Sequence, residues 1–274
     1  MKSIHEYGSI QARDGLELFI SRDIPENPRA VLVIVHGLAE HSGRYDYVAE
    51  KFQNAGFGVI RFDNRGHGKS RGDRAWIESF QEYIDDANSV VNRTAEEFAG
   101  IPLFLMGHSM GGFIATGYAI KYPGKVQGQI FSGAAVGPLS AFDFLRDMDY
   151  KAHGRDPLPN GLGHLVSRDP AVVSAYAQDP LVLKSITTQL AGSVWKDGVA
   201  WIEANAHTIN VPALILHGGD DQIVPPAASE WLYNQIASTD KSLKIYPGLY
   251  HEILNDPEKD QVISDIVAWV QERI

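Results

Sequence analysis

The sequence contains no cysteine. Disulfides, thiolate metal sites and a cysteine nucleophile are therefore excluded, and the composition fits a reducing compartment. Long apolar runs are also missing: none approaches the roughly 18 residues of a membrane-spanning helix, so no span is expected. Residues 1–10 carry no apolar core of a secretory signal. The expectation is a cytoplasmic protein, at most peripheral at a membrane surface. Positive charge is scarce: 24 Lys and Arg against 34 Asp and Glu leave a net charge of −10. An acidic surface argues against nucleic acid as the main partner. No complete G-x-G-x-x-G or H-E-x-x-H occurs. Gly68-Lys69-Ser70 resembles the end of a phosphate-binding loop, but Asp63 stands where that motif needs its first glycine. His36, His41 and His67 lack metal-ligand spacing, and structural roles are expected for them. Repeats and low-complexity tracts are absent.

What is present suits one large α/β domain with an insertion: 274 residues, 44% of them hydrophobic. Residues 4–12 and 16–22 read as a hairpin about Arg13-Asp14-Gly15, a turn-forming D-G pair. The β-branched run at 30–35 reads as a strand buried on both faces. A helix at 45–55, a strand at 57–62, a polar Gly-rich loop at 63–74 and a long helix at 80–98 follow. Strands at 103–106 and 126–131 flank a helix at 112–121. After a break, strands at 212–216 and 243–246 alternate with helices at 227–237 and 261–273. Such alternation is the mark of a parallel sheet. The break itself, about 137–210, is too long for a loop. It holds helical stretches and many prolines and glycines, and reads as a cap over the carboxyl edge of the sheet.

Gly107-His108-Ser109-Met110-Gly111 joins a strand to a helix, and Gly112 follows. Strand, G-x-S-x-G turn and helix together make a nucleophile elbow. The sharp turn needs small neighbours and holds Ser109 at the carboxyl end of the sheet. The N–H groups of Ser109 and Met110 are then expected at a helix N-terminus, where negative charge is favoured.

A serine hydroxyl needs a base, and the base needs an orienting acid. With a strand-borne elbow the chain order is serine, acid, histidine. Of the ten histidines, only His251 follows the 212–216 strand and its loop. The acid belongs in that loop, where Asp220 and Asp221 are adjacent, and local physics leaves both open. Two backbone donors must hold an oxyanion: Met110 N–H, after the nucleophile, and Leu38 N–H in the loop after residues 30–35.

These features resemble the α/β-hydrolase superfamily, and more closely its monoacylglycerol lipase and lysophospholipase branch. His36-Gly37-Leu38-Ala39-Glu40-His41-Ser42-Gly43-Arg44-Tyr45 is similar to the branch's oxyanion loop. Asp63-Asn64-Arg65-Gly66-His67-Gly68-Lys69-Ser70 is similar to its D-x-R-G-H-G-x-S loop, which is mainly structural. Gly107 to Gly112 matches its G-H-S-M-G-G elbow. Ser167-Arg168-Asp169-Pro170 and Tyr176-Ala177-Gln178-Asp179-Pro180-Leu181 resemble segments of its cap. The resemblance implies an α/β-hydrolase fold: a mostly parallel central sheet with helices on both faces and a mainly helical cap. The core would comprise residues 1–136 and 211–274, and the cap 137–210. It also implies Asp221 as the acid, from the pattern H-G-x-x-D-x-x-V. Glu40, Arg44 and Tyr176 match positions near the glycerol end of the pocket. Two departures stand out: Leu254 replaces a second histidine of mammalian members, and Val224 a cysteine.

The implied function is a serine carboxylester hydrolase acting on a single-chain lipid ester, with monoacylglycerol first and lysophospholipid second. It would need no metal or organic cofactor. A short-chain esterase and a non-catalytic binding protein on the same fold are the alternatives. Leu139, Phe142, Phe144, Leu145, Leu158, Leu162 and Leu165 are expected to line an acyl tunnel or to touch lipid transiently.

Overall fold

Residues Ser3–Gln11 (β1) and Glu17–Pro25 (β2) pair antiparallel as the expected hairpin. The turn between them closes on Gly15, whose φ of 84° suits glycine. The computed structural model describes residues 3–137, 139–145 and 147–274, except the side chains of residues 3 and 140–142. Then follow Ala30–Val35 (β3), Asp46–Asn54 (α1), Phe57–Phe62 (β4), Phe80–Glu97 (α2), Leu103–His108 (β5), Met110–Lys121 (α3) and Gly128–Ser132 (β6). A second run comprises Pro157–Pro159 (β7), Pro170–Gln178 (α4), Ser185–Thr187 (β8), Thr188–Gly192 (α5) and Val199–Asn205 (α6). The chain closes with Ala213–Gly218 (β9), Ala227–Gln235 (α7), Lys241–Tyr246 (β10) and Lys259–Gln271 (α8).

Among the described residues, eight strands form one sheet in the order β1-β2-β4-β3-β5-β6-β9-β10. β2 meets both β1 and β4 antiparallel, and the remaining pairs are parallel. This is the α/β-hydrolase fold expected from the sequence. The apolar run in β3 is continuous because both faces are covered. Val31, Val33 and Val35 pack with Tyr83 and Ile84 of α2 and Phe113 and Ile114 of α3. Leu32 and Ile34 pack on the other face with Phe52 of α1 and Ile266 and Trp269 of α8. Each such side chain contributes about 1.5–3 kcal/mol by leaving water. Among the described residues no helix is long and apolar enough to cross a membrane.

Several boundaries differ from the sequence expectations. The elbow helix begins at Met110 rather than residue 112, because the helix starts directly behind the turning serine. The strand expected at 126–131 is Gly128–Ser132, and the last helix opens at Lys259. α2 opens on a capping box, with Ser79 and Glu82 satisfying each other's backbone donors. The segment between β6 and β9 is mainly helical, but β7 and β8 add a short antiparallel pair that the sequence pattern does not announce. Pro157 and Pro159, two of the prolines of this segment, hold extended backbone at an edge, which strands tolerate.

Candidate active site

β5 delivers Ser109 in a strained conformation, φ 55° and ψ −118°. Such a geometry costs a non-glycine residue about 1–3 kcal/mol. The surroundings enforce it. Ser109 N–H donates to Ser132 O at 2.9 Å, and Ser109 O accepts from Phe113 N and Ala135 N, both at 3.1 Å. Ser109 stands at the N-terminus of α3 as expected, but β6 takes its N–H, so only that of Met110 remains there. Met110 is the first residue of α3, so its N–H has no acceptor within the helix. The flanking glycines leave no room for a side chain. A Cβ on Gly107 would overlap the Gly111 carbonyl, and one on Gly111 would overlap the Val35 carbonyl.

The loop after β3 lies beside the elbow. Gly37 N–H is taken by Glu40 Oε1 at 2.6 Å, and the neighbouring Leu38 lines the cavity described below. Ala39 has φ 64°, and its carbonyl accepts from Leu183 N at 2.8 Å. His36 beneath is buried. Its Nδ1 donates to Gly37 O at 2.7 Å, and its Nε2 accepts from Asn64 N at 2.9 Å. Burial holds its pKa down, consistent with a neutral ring used as a structural clamp. Asp63 caps the same region, accepting from Ser42 N and Lys69 N at 2.7 Å each. Arg65 grips Asp86 through two 2.6 Å contacts. His67 is buried, with its pKa pushed down to about 3 by burial, and its Nδ1 meets Arg65 O at 3.1 Å. His41 bonds Asp179 at 2.8 Å. All three histidines thus serve the fold. Among the described residues no three His, Asp or Glu side chains are grouped to hold a metal ion.

The loop after β9 separates the two aspartates that the sequence left adjacent. Asp220 is exposed, whereas Asp221 is buried. Asp221 Oδ2 receives His251 Nδ1 at 2.6 Å and His217 Nε2 at 3.0 Å. Its Oδ1 accepts from Ile223 N at 2.8 Å and Val224 N at 3.0 Å. Burial alone would raise the carboxyl pKa, but His251 and these donors take it well below the usual carboxylate range. His251 responds in the opposite sense. Burial would lower its pKa, but the Asp221 carboxylate outweighs that and raises it. With Nδ1 held by Asp221, Nε2 is the nitrogen free for proton transfer.

Ser109 and His251 line one cavity with room of about 50 Å³ for the centres of water-sized molecules. Its wall also includes Glu40, His108, Asn160, Tyr176 and Glu252, with Leu38, Ala135, Leu162, Val166, Trp195, Ile223 and Val224 as the apolar part. His108 lies 4.7 Å from His251, ring centre to ring centre, and burial with that neighbour lowers its pKa to about 4. The lining therefore combines apolar side chains with two carboxylates.

A family model described as "Serine aminopeptidase, S33" matches residues 26–258. The chain belongs to this family. Like the fold, the family membership places it among the α/β-hydrolases. The chain is 37% identical over 249 residues to a monoacylglycerol lipase of Mycolicibacterium smegmatis, covering 89% of each. It is 29% identical to phospholipase YtpA of Bacillus subtilis, covering 91% of this chain and 98% of that protein. Among solved structures, a Paleococcus ferrophilus monoacylglycerol lipase superposes with a TM-score of 0.81 at 34% identity, covering 94% of this chain and 99% of the other. The chain is a hydrolase similar to monoacylglycerol lipases across most of its length.

Within this S33 hydrolase the residues expected at the polar end are arranged unequally. Glu40 and Tyr176 line the cavity, whereas Arg44 stands behind them. Arg44 bonds Glu40 at 2.8 Å and lies 4.7 Å from the Tyr176 ring centre. Of the apolar residues expected along an acyl tunnel or at a lipid surface, only Leu162 lines the cavity among those whose side chains are described. Leu139 and Leu145 are buried in the main core, and Leu158 packs against it. Phe144 is 49% exposed. The Phe142 side chain lies outside the described residues. Two further residues matter here to which the sequence reading gives no role. His217, four positions before Asp221, bonds it. Glu252, directly after His251, lines the cavity and binds Arg44. Leu254, by contrast, is buried in the core on the α8 face.

Proposed function

We propose that this protein is a serine carboxylester hydrolase acting on single-chain lipid esters, and that monoacylglycerol is cleaved to fatty acid and glycerol. The observation that carries the reading is the 2.6 Å bond from His251 to Asp221 in a cavity that also exposes Ser109. His251 Nε2 takes the Ser109 proton as Oγ attacks the ester carbonyl. Asp221 stabilises the imidazolium, and Leu38 and Met110 N–H hold the oxyanion. His251 then gives the proton to the departing alcohol. Water, deprotonated by the same nitrogen, attacks the acyl-enzyme and releases the acid.

Residues 137–210 act as a cap, and residues 1–136 and 211–274 as the hydrolase core. The acyl chain runs along Leu162, Val166, Trp195 and Ile223, while Glu40, Arg44 and Tyr176 shape the glycerol end. Phe144 and Leu162, 49% and 39% exposed, make transient contact with a lipid surface. The 37% identity to a monoacylglycerol lipase over 89% of both chains supports the substrate. The test is Ser109→Ala, for which turnover of a monoacylglycerol falls about a million-fold and fluorophosphonate labelling disappears. Activity near wild type in that variant rejects the assignment.

A further inference from the structure

Glu252 has no assigned role, yet it occupies a commanding place. It directly follows His251 and lines the cavity, with its side chain only 6% exposed. Its Oε1 accepts from Arg44 Nη1 at 2.5 Å. Its Oε2 accepts from Arg44 Nη2 at 2.7 Å and from Asn255 Nδ2 at 2.9 Å. The same Arg44 Nη1 donates to Glu40 Oε2 at 2.8 Å. Glu40 Oε1 already accepts from Gly37 N and from Tyr45 OH. Two carboxylates therefore face the cavity, and the arginine they share stands behind its wall. None of the described residues lining the cavity is a lysine or an arginine.

Two consequences follow. A carboxylate oxygen has two acceptor sites. Glu252 Oε1 and Glu40 Oε2 each use one on Arg44, so each has one left. Because both accept from one nitrogen, they stand side by side. Their charge sums with Arg44 to minus one, and no lysine or arginine among the described lining residues would meet an incoming anion.

We propose that Glu252 is the head-group filter of this hydrolase: paired with Glu40, it accepts hydroxyls of an uncharged diol head and turns away phosphate-bearing heads. A phosphate would be desolvated against two carboxylates, a repulsion that grows as water is excluded. A diol instead offers one donor to each open acceptor. Arg44 is a positioning residue, since it fixes both carboxylates without lining the cavity. The inference rests on the ester-hydrolase reading.

The test compares kcat/KM for a monoacylglycerol and for the acylglycerol phosphate with the same acyl chain. Wild-type enzyme is expected to prefer the uncharged ester by about a hundredfold, and Glu252→Gln to reduce that preference about tenfold. A loss of general integrity would lower both rates and leave their ratio alone. An unchanged ratio in Glu252→Gln, or equal use of both esters by wild type, overturns the proposal. A second measurement needs no variant. An uncleavable 1-alkylglycerol and its 3-phosphate compete against a p-nitrophenyl ester on wild-type enzyme. The uncharged ether is expected to inhibit about a hundredfold more tightly, and equal inhibition overturns the filter. If wild type cleaves the p-nitrophenyl ester but no lipid ester, the lipid reading fails, while the two ethers, compared on wild type and Glu252→Gln, still report on Glu252.

Discussion

His217 Nε2 reaches Asp221 Oδ2 at 3.0 Å, the same oxygen that holds His251 Nδ1. Because Nε2 also faces the Val224 carbonyl at 2.9 Å, it must carry the proton and donate. Ser229 Oγ meets Nδ1 at 2.7 Å and fixes the ring from behind. His217 is thus a positioning residue for Asp221, the proposed acid. A hydrogen bond to a charged group contributes about 1.5–3 kcal/mol, so His217→Phe is expected to lower kcat about 10- to 100-fold. With one donor fewer, the Asp221 charge is less neutralised and holds the His251 proton more tightly. The acid limb of the kcat/KM profile should therefore move to higher pH. A variant with a lower rate but an unmoved limb would show only a packing role.

The pH dependence of the wild type follows from His251 itself. In the proposed mechanism it serves as a base only when neutral, and Asp221 raises its pKa above the ordinary 6.5. Activity should fall as pH drops through that raised value, so the acid limb of kcat/KM lies above 6.5. Asp221→Asn removes the charge that raises it. The limb should then move to lower pH while the rate falls about 10⁴-fold. Rates across the acid range, on a substrate with no titrating group there, measure both effects. A limb at or below the ordinary histidine value in wild type contradicts the geometry.

Glu40 makes a separate prediction about stability. Burial would raise its pKa, but Arg44, His108 and His36, with the Gly37 N–H, bring it down to about 2 from 4.5. A carboxyl whose folded pKa is depressed stabilises the fold above its unfolded pKa, and loses that contribution as pH falls through the folded value. Glu40→Gln is therefore expected to be less stable than wild type at pH 7. The gap should close between about pH 4.5 and pH 2. Urea midpoints of both proteins across that range decide it, and a pH-independent gap would mean that the Glu40 charge contributes nothing.

The parts of this molecule legible in its sequence are those set by local pattern. β3 is readable because a strand covered on both faces must be continuously apolar. The elbow is readable because its glycines answer a steric demand that spans only a few residues. The acid is half readable: burial separates Asp221 from Asp220, and the resemblance supplies what local composition cannot. Glu252 is not readable, because its partner Arg44 lies 208 positions away. A charged residue immediately after the base is the available signal. His217 carries a signal too, a polar side chain at the end of an otherwise apolar strand. The β7–β8 pair escapes because a three-residue strand with a proline at each end carries too little alternation to read.

Gly111 offers the most direct mechanical test of the elbow. A Cβ there would overlap the Val35 carbonyl oxygen and crowd the His36 carbonyl, both backbone atoms that cannot rotate away. α3 and β3 would have to separate, and with them the Met110 and Leu38 donors. Gly111→Ala is expected to cost about 1–3 kcal/mol of stability. Misplacement of the reacting groups should lower kcat about 100-fold. Gly124 provides the comparison. Its φ of 79° strains any alanine, but a Cβ added there would meet no atom within 4 Å, and the residue stands away from the cavity. Gly124→Ala should lose about 1 kcal/mol of stability from its backbone conformation and keep its kcat. Thermal unfolding and single-substrate kinetics on the two variants separate strain from function. Equal kcat values in both would mean that the close approach of α3 to β3 is not what holds the oxyanion donors in register.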